Sequence, residues 1–307
     1  MELKKPVGRF APTPSGRMHL GNVFAALMAW LAVRSQDGTM LLRIEDLDRQ
    51  RTRPEYVETL RQDLAWLGLT YDAETPAQST RTEIYKAYFD ILRQKDLLYP
   101  CYCTRAQLHS VNAPHQSDGT YVYPGTCRNF TAVEISKLDR APSWRVKVPN
   151  RQYRVEDRIQ GIYEENLTEN CGDFVVCRSD GAFVYQLAVT VDDGLSGVTQ
   201  IVRGVDLLGS VPRQMYLQEI FGFETPEYAH IPLLVAPDGR RLSKRDRDMD
   251  LGYLRQRLTA PQIIGILAHA AGLLETDTPV TPEELIPLFS WDKLKKDPIC
   301  LDISRFM

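Results

Sequence analysis

Val7-Gly-Arg-Phe10-Ala-Pro12-Thr-Pro14-Ser-Gly16-Arg-Met-His19-Leu-Gly21-Asn22, continued by the unbroken apolar run Val23 to Val33, decides how this chain folds. Val7 to Phe10 reads as a short, half-apolar strand. Pro12 and Pro14 then fix φ and stiffen the exit, and Ser15-Gly16 relaxes it. The apolar run predicts a helix buried on nearly every side, beginning near His19. The first N–H groups of such a helix lack internal partners and carry the positive end of its dipole, so the turn before it is a seat for phosphate. Gly21 would let an adenosine lie against the backbone, and His19 could donate to a phosphate oxygen. The plainer reading makes His19 a helix cap.

Outward from this unit the chain is mixed α and β. Thr52 and Glu55 read as a capping box with Pro54 in the first turn, followed by Val57, Leu60, Leu64 and Leu67 at helical spacing and ended by Gly68. Thr80 and Glu83 repeat the device before Ile84, Tyr88, Phe89 and Leu92. Strands are expected at Arg145 to Val148, Phe174 to Cys177 and Phe183 to Val191, the last a buried central strand. Helical patterns return after Tyr253. The expected fold is a doubly wound, parallel α/β sheet split by an insertion and followed by a small helical region. The expected boundaries are 1–99 and 183–245 for the two halves of the α/β domain, 100–182 for the insertion and 246–307 for the helical region.

With 307 residues, 43% of them hydrophobic, the chain can bury a large core. The apolar run is far short of the ~20 residues that span a bilayer, and Met-Glu-Leu-Lys-Lys-Pro lacks the apolar centre of a signal peptide. A cytoplasmic protein is expected, with no membrane partner. A net charge of −3 excludes a general nucleic-acid coat protein but allows a local basic track.

The six cysteines do not form a disulfide framework. Cys101, Cys103 and Cys127 fall in a loop-rich stretch with little periodicity, where three soft ligands suggest a structural zinc ion with four tetrahedral ligands. The residues leave the fourth open among His109, His115, Asp118, Tyr121 and Tyr123, of which His115 is the ordinary choice. Cys171, Cys177 and Cys300 read as incidental thiols.

Candidate substrate groups stand at strand ends. Leu42-Arg-Ile-Glu45-Asp-Leu-Asp48 runs into three acids, and Glu45 could hold an ammonium group. Gly197 to Asp206 contains a strand ending at Arg203, suited to a bidentate carboxylate clamp, and Arg9 could make another. Tyr185, placed in the buried strand, could add a hydroxyl. Two arginines facing one glutamate suggest an acidic amino acid as substrate. Strand-end salt bridges, such as Arg43 with Asp46, are the bland alternative.

His19-Leu-Gly21-Asn22 and Arg241-Leu-Ser-Lys244-Arg245, in that order, resemble the HIGH and KMSKS signatures by which class I aminoacyl-tRNA synthetases bind ATP. Arg9-Phe-Ala-Pro-Thr-Pro-Ser-Gly, Leu42 to Asp48, Val202-Arg-Gly-Val-Asp-Leu-Leu and His230-Ile-Pro-Leu-Leu resemble the signatures of glutamyl-tRNA synthetases from Arg9 to about Arg247. A short segment after Arg245 and a cysteine-bearing insertion make the chain similar to the glutamyl-queuosine tRNA(Asp) synthetase family. The resemblance implies glutamate contacts at Arg9, Phe10, Ala11, Pro12, Thr13, Glu45, Tyr185 and Arg203. It implies ATP contacts at His19, Gly21, Asn22 and Lys244, with His19 and Lys244 catalytic, and zinc ligands Cys101, Cys103, Tyr123 and Cys127. Two departures stand out: Asn22 replaces the second histidine of HIGH, and Arg245 the last serine of KMSKS.

The implied reaction joins the glutamate α-carboxylate to the α-phosphate of Mg²⁺-bound ATP, releasing pyrophosphate, and then passes the glutamyl group to a queuosine hydroxyl. The implied partners are ATP, L-glutamate and the anticodon arm of tRNA(Asp), met by a monomer whose residues 246–307 contact the arm. The rival functions are a shortened glutamyl-tRNA synthetase charging a 3′ end, a nucleotidyltransferase for another acid, and a non-catalytic glutamate or RNA sensor.

Overall fold

The computed structural model describes residues 4–48, 50–104, 107, 122–240 and 250–302. Strand β1 (Val7–Phe10) leads into helix α1 (Leu20–Arg34), and β2 (Thr39–Arg43) returns beside β1 in parallel. After β2 come α2 (Pro54–Leu67), β3 (Ala73–Thr75), α3 (Thr82–Gln94) and β4 (Leu98–Cys101). Then β5 (Ser143–Val146), β6 (Gln152–Asp157), β7 (Gly161–Asn166) and β8 (Phe174–Cys177) precede α4 (Tyr185–Leu195) and β9 (Gln200–Gly204). The chain continues through α5 (Val211–Phe221), β10 (Glu227–Ile231) and β11 (Leu234–Val235) to α6 (Ala260–Ala271) and β12 (Ile299–Cys300).

Among the described residues the main sheet runs β3-β2-β1-β9-β10-β6-β7. Every neighbouring pair in it is parallel except the β6–β7 hairpin. Order 3-2-1 on one side of the first strand and later strands on the other is the arrangement of an α/β sheet whose ligand site lies at the carboxyl ends, where the order reverses. Residues 152–166 extend this sheet, whereas β4, β5 and β8 form a separate antiparallel one.

Helix α1 packs on β1, β2 and β9. From Val23 to Val33 every residue but Ala25 is buried, as the apolar run predicts. Gly8 makes the close packing of strand on helix attainable: a Cβ there would sit 2.3 Å from Val33 Cγ2. Gly68 ends α2 in the left-handed conformation expected of a C-terminal glycine (φ 77°).

Three local expectations need correction. The boxes at Thr52 and Thr80 do not cap helices. Thr52 Oγ1 donates back to Asp48 O (3.0 Å) and Thr80 Oγ1 to Ala77 O (2.7 Å), so both hydroxyls serve the preceding turn. Helices α2 and α3 have Arg53 and Arg81 at their N-cap positions, with no side-chain hydrogen bond to cap them. The third correction is Tyr185, which opens helix α4 rather than lying in a strand. Strand character stops at Phe183, bridged to Cys177. A helix buried on most sides shows the same apolar density as a buried strand, which is why the run reads either way.

The segment that resumes at Asp250 is fixed against the turn before α1. Leu251 N donates to Met18 O (2.9 Å), and the fully buried Asp63 of α2 accepts from Arg17 Nη2 (3.1 Å) and Arg255 Nη1 (2.7 Å). Strand β12 completes the tie by pairing with β11. No helix among the described residues is long and apolar enough to cross a membrane.

Candidate active site

The turn after β1, the end of β2, the start of α4 and the end of β9 converge on a pocket of about 480 Å³. Arg9, Phe10, Ala11, Pro12, Thr13, His19, Gly21, Asn22, Glu45, Tyr185 and Arg203 all line it. Every candidate for glutamate or ATP therefore faces one cavity, apart from Lys244, which with Arg241 and Arg245 lies outside the described residues.

His19 is the N-cap of α1. Its Nδ1 accepts from Gly21 N (3.1 Å), while Asn22 Oδ1 accepts from His19 N (3.2 Å). The cap and the phosphate seat are thus one device: with Nδ1 accepting, the ring proton is on Nε2, and the helix N-terminus faces the pocket. Asn22, in place of a histidine, closes the reciprocal cap with its carbonyl oxygen.

Beneath the pocket lies a buried charge layer that sequence reasoning missed. Arg9 Nε donates to Asp193 Oδ1 (3.2 Å), Arg43 also reaches Asp193, and Arg43 Nη2 reaches Glu45 Oε1 (3.2 Å). Asp46 instead accepts from the amide and hydroxyl of Ser79, so the alternative Arg43–Asp46 pair does not form. Asp192, next to Asp193 on α4, accepts from Gln78, Arg81 and Tyr85. Burial opposes the charge of Asp193, but Arg43 and Arg9 outweigh it and hold the carboxyl below its usual range. Burial pushes Glu45 up despite Arg43 and Arg9. A carboxylate so desolvated gains from an arriving ammonium group. The adjacent acids at the end of an otherwise apolar stretch were the available signal for this layer.

Arg203 is held from several sides. Nε donates to His230 Nε2 (3.0 Å), Nη1 to Tyr185 Oη (3.2 Å), and Nη2 to Gln214 Oε1 (2.9 Å) and Leu207 O (3.3 Å). Among the described residues, one of the five guanidinium donors, on Nη1, remains for a ligand. His230 in turn meets Asp157 Oδ2 through Nδ1 (2.6 Å). Burial, with Arg203 beside it, pushes His230 down to about 4 despite Asp157.

That depression makes stability depend on pH. Between the usual value of about 6.5 and about 4, the unfolded chain takes up a proton that the folded chain refuses. The contribution of His230 is therefore complete above pH 6.5 and falls as the pH drops, by about 2 kcal/mol at pH 5. Urea unfolding of wild type and His230→Gln at pH 7.5 and 5 checks this: the variant should lose less stability over that interval.

Away from the pocket, Cys101, Cys103 and Cys127 bring three sulfurs within 4.8 Å of one another, a cluster that could hold a metal ion. Tyr123 Oη lies 3.5 Å from Cys101 Sγ and 3.7 Å from Cys103 Sγ, and Cys103 Sγ is 3.6 Å from Cys127 Sγ. Tetrahedral thiolates on zinc are separated by ~3.8 Å, so the spacing fits. Arg145 Nε donates to Cys101 Sγ (3.2 Å) and Tyr102 N to Cys127 Sγ (3.4 Å), the kind of outer contact that orients metal-binding sulfurs. Gly172 (φ 68°) passes so close to Tyr123 that a Cβ would lie 2.3 Å from its carbonyl oxygen. His109, His115, Asp118 and Tyr121 lie outside the described residues.

Residues 6–263 match the catalytic domain of the class I tRNA synthetases (E and Q). The chain is 45% identical to a glutamyl-Q tRNA(Asp) synthetase of Symbiobacterium thermophilum, over 95% of this chain and 94% of that protein. It is 43% identical to one of Nitratidesulfovibrio vulgaris over the same shares. Among solved structures, a glutamate tRNA ligase of Elizabethkingia meningosepticum in complex with its amino acid superposes with a TM-score of 0.83 at 28% identity, covering 98% of this chain and 68% of that one.

Proposed function

The chain belongs to the glutamyl-Q tRNA(Asp) synthetases, among the class I synthetases for glutamate and glutamine, and from that membership we propose a role for each group around its pocket. The enzyme is an ATP-dependent ligase: it activates L-glutamate and transfers it to queuosine of tRNA(Asp). The observation that carries the site reading is that a helix N-terminus fit for phosphate and an arginine with one uncommitted donor face the same cavity.

Arg203 and the hydroxyl of Tyr185 bind the glutamate side-chain carboxylate, Glu45 binds its ammonium group, and the backbone from Arg9 to Thr13 shapes the seat. The α-carboxylate then points toward the turn before α1, where His19 Nε2 and the positive end of the α1 dipole hold the phosphates. Gly21 lets the nucleotide approach, because even a Cβ there would meet the His19 ring at 2.9 Å. Lys244 stabilises charge on departing pyrophosphate, and Mg²⁺ brought in with ATP supplies further charge neutralisation. Catalysis is positioning and electrostatics. A zinc ion held by Cys101, Cys103, Tyr123 and Cys127 has a structural role in the module around β4, β5 and β8, inserted between residues 100 and 182. Residues 246–307 form a helical region that meets the anticodon arm of tRNA(Asp), and the enzyme works as a cytoplasmic monomer.

Because the protein itself holds the carboxylate clamp in place, glutamate should be activated without tRNA. Glutamate-dependent exchange of pyrophosphate into ATP is the measurement, and exchange seen only after tRNA is added would count against the reading. Arg203→Ala should lose about 2–4 kcal/mol in kcat/KM for glutamate, since a buried carboxylate loses a charge-assisted partner.

A further inference from the structure

We propose that His230 and Asp157 are positioning residues for Arg203, and that the imidazole tautomer imposed by Asp157 decides whether Arg203 can present its uncommitted donor to the substrate. The inference rests on the reading of Arg203 as the carboxylate clamp. Three adjacent strands carry it: Arg203 on β9 stands in register with His230 on β10, and Tyr228 of β10 with Asp157 on β6.

The chemistry leaves one arrangement. An arginine Nε–H can only donate, so the His230 Nε2 that faces it at 3.0 Å carries a lone pair. The ring proton is then on Nδ1, donated to Asp157 Oδ2 at 2.6 Å. The other oxygen, Oδ1, accepts from three backbone N–H groups, those of Ile159 (3.0 Å), Gln160 (2.8 Å) and His230 (3.1 Å). Asp157 therefore cannot swing away, and His230, fully buried, cannot find water as another partner. Tyr228, stacked on His230, lies under the guanidinium of Arg203 at 5.6 Å. With Nε fixed by His230 and Nη2 by Gln214 and Leu207, the plane of the guanidinium is set before any ligand arrives.

Asp157→Asn tests this with a nearly isosteric change. The asparagine oxygen stays on the three backbone donors, so its NH₂ faces His230 Nδ1. Two donors cannot share that contact, and His230 must move its proton to Nε2, against the Nε–H of Arg203. In pyrophosphate exchange without tRNA, KM for glutamate should rise roughly 10- to 100-fold, as a misplaced clamp requires, with KM for ATP unchanged. His230→Ala should behave likewise. His230→Gln keeps an acceptor for Arg203 and a donor for Asp157 and should stay within a few-fold of wild type. Nitrogen NMR of histidine-labelled enzyme should find the His230 proton on Nδ1 in wild type and on Nε2 in Asp157→Asn. An Arg203→Ala enzyme with wild-type glutamate KM overturns the clamp on which the relay depends. An Asp157→Asn enzyme with wild-type glutamate KM beside an impaired Arg203→Ala overturns the relay alone.

Discussion

Unmodified tRNA(Asp) transcript should accept no glutamate, whereas tRNA(Asp) from queuosine-containing cells should be charged. On the proposed reaction the nucleophile is a hydroxyl of the cyclopentene diol, which the unmodified guanine lacks, so the loss would be of a reacting group and complete. Contacts to stem phosphates would hold the tRNA without reading its sequence, so binding should weaken steeply as salt rises. Transfer of labelled glutamate measures this directly, and periodate cleavage of the diol should abolish it. If an unmodified tRNA(Glu) transcript takes glutamate at its 3′ end with comparable efficiency, the enzyme is a shortened glutamyl-tRNA synthetase.

Enzyme purified without added metal should contain close to one zinc per chain, and Cys127→Ser should lose it together with the ordered packing of Tyr99 and Tyr123 around the sulfurs, while β4, β5 and β8 keep the larger core of Leu98, Val146, Phe174 and Val176. Cys101 ends β4, and Tyr123, Cys127 and Tyr99 pack around it in a small cluster apart from the main core. A cluster of that size buries too little apolar surface to order itself. The binding of a structural zinc, about 10–16 kcal/mol in isolated finger peptides, is ample to do so. Elemental analysis and near-ultraviolet dichroism of the variant read the two effects. Tyr123→Phe should retain zinc poorly. Full retention there, with loss in His115→Ala, would move the fourth ligand to His115.

What the sequence disclosed best was local. Val7–Phe10 and Phe174–Cys177 fold as the strands read from them, and the helix expected from His19 begins at Leu20. Apart from Lys244, the candidates named for glutamate and ATP share a cavity because they stand at carboxyl-terminal strand ends, on the turn that leaves one, or on the first turn of a helix. What stayed hidden was pairing across sequence distance. Nothing in Arg9 announces Asp193, and nothing in Arg203 announces a histidine whose far side is held by Asp157. Those partners meet only when the strand order is known. The misread Tyr185 has a different, local cause, since helix and strand differ there in period rather than composition.

The committed donors of Arg203 also bear on which acids the pocket refuses. A guanidinium free to swing could follow a shorter substrate inward, but this one works as a gauge of fixed length. Aspartate, one methylene shorter, would leave the last Nη1 hydrogen, on a buried guanidinium, without its carboxylate acceptor. Glutamine would reach it yet could turn an NH₂ toward a group that only donates. An unmatched buried donor discriminates far more strongly than a missing methylene in an apolar pocket. On the proposed reading of Arg203 as the carboxylate clamp, discrimination against the shorter acid and the amide would reside in an arginine that does not move.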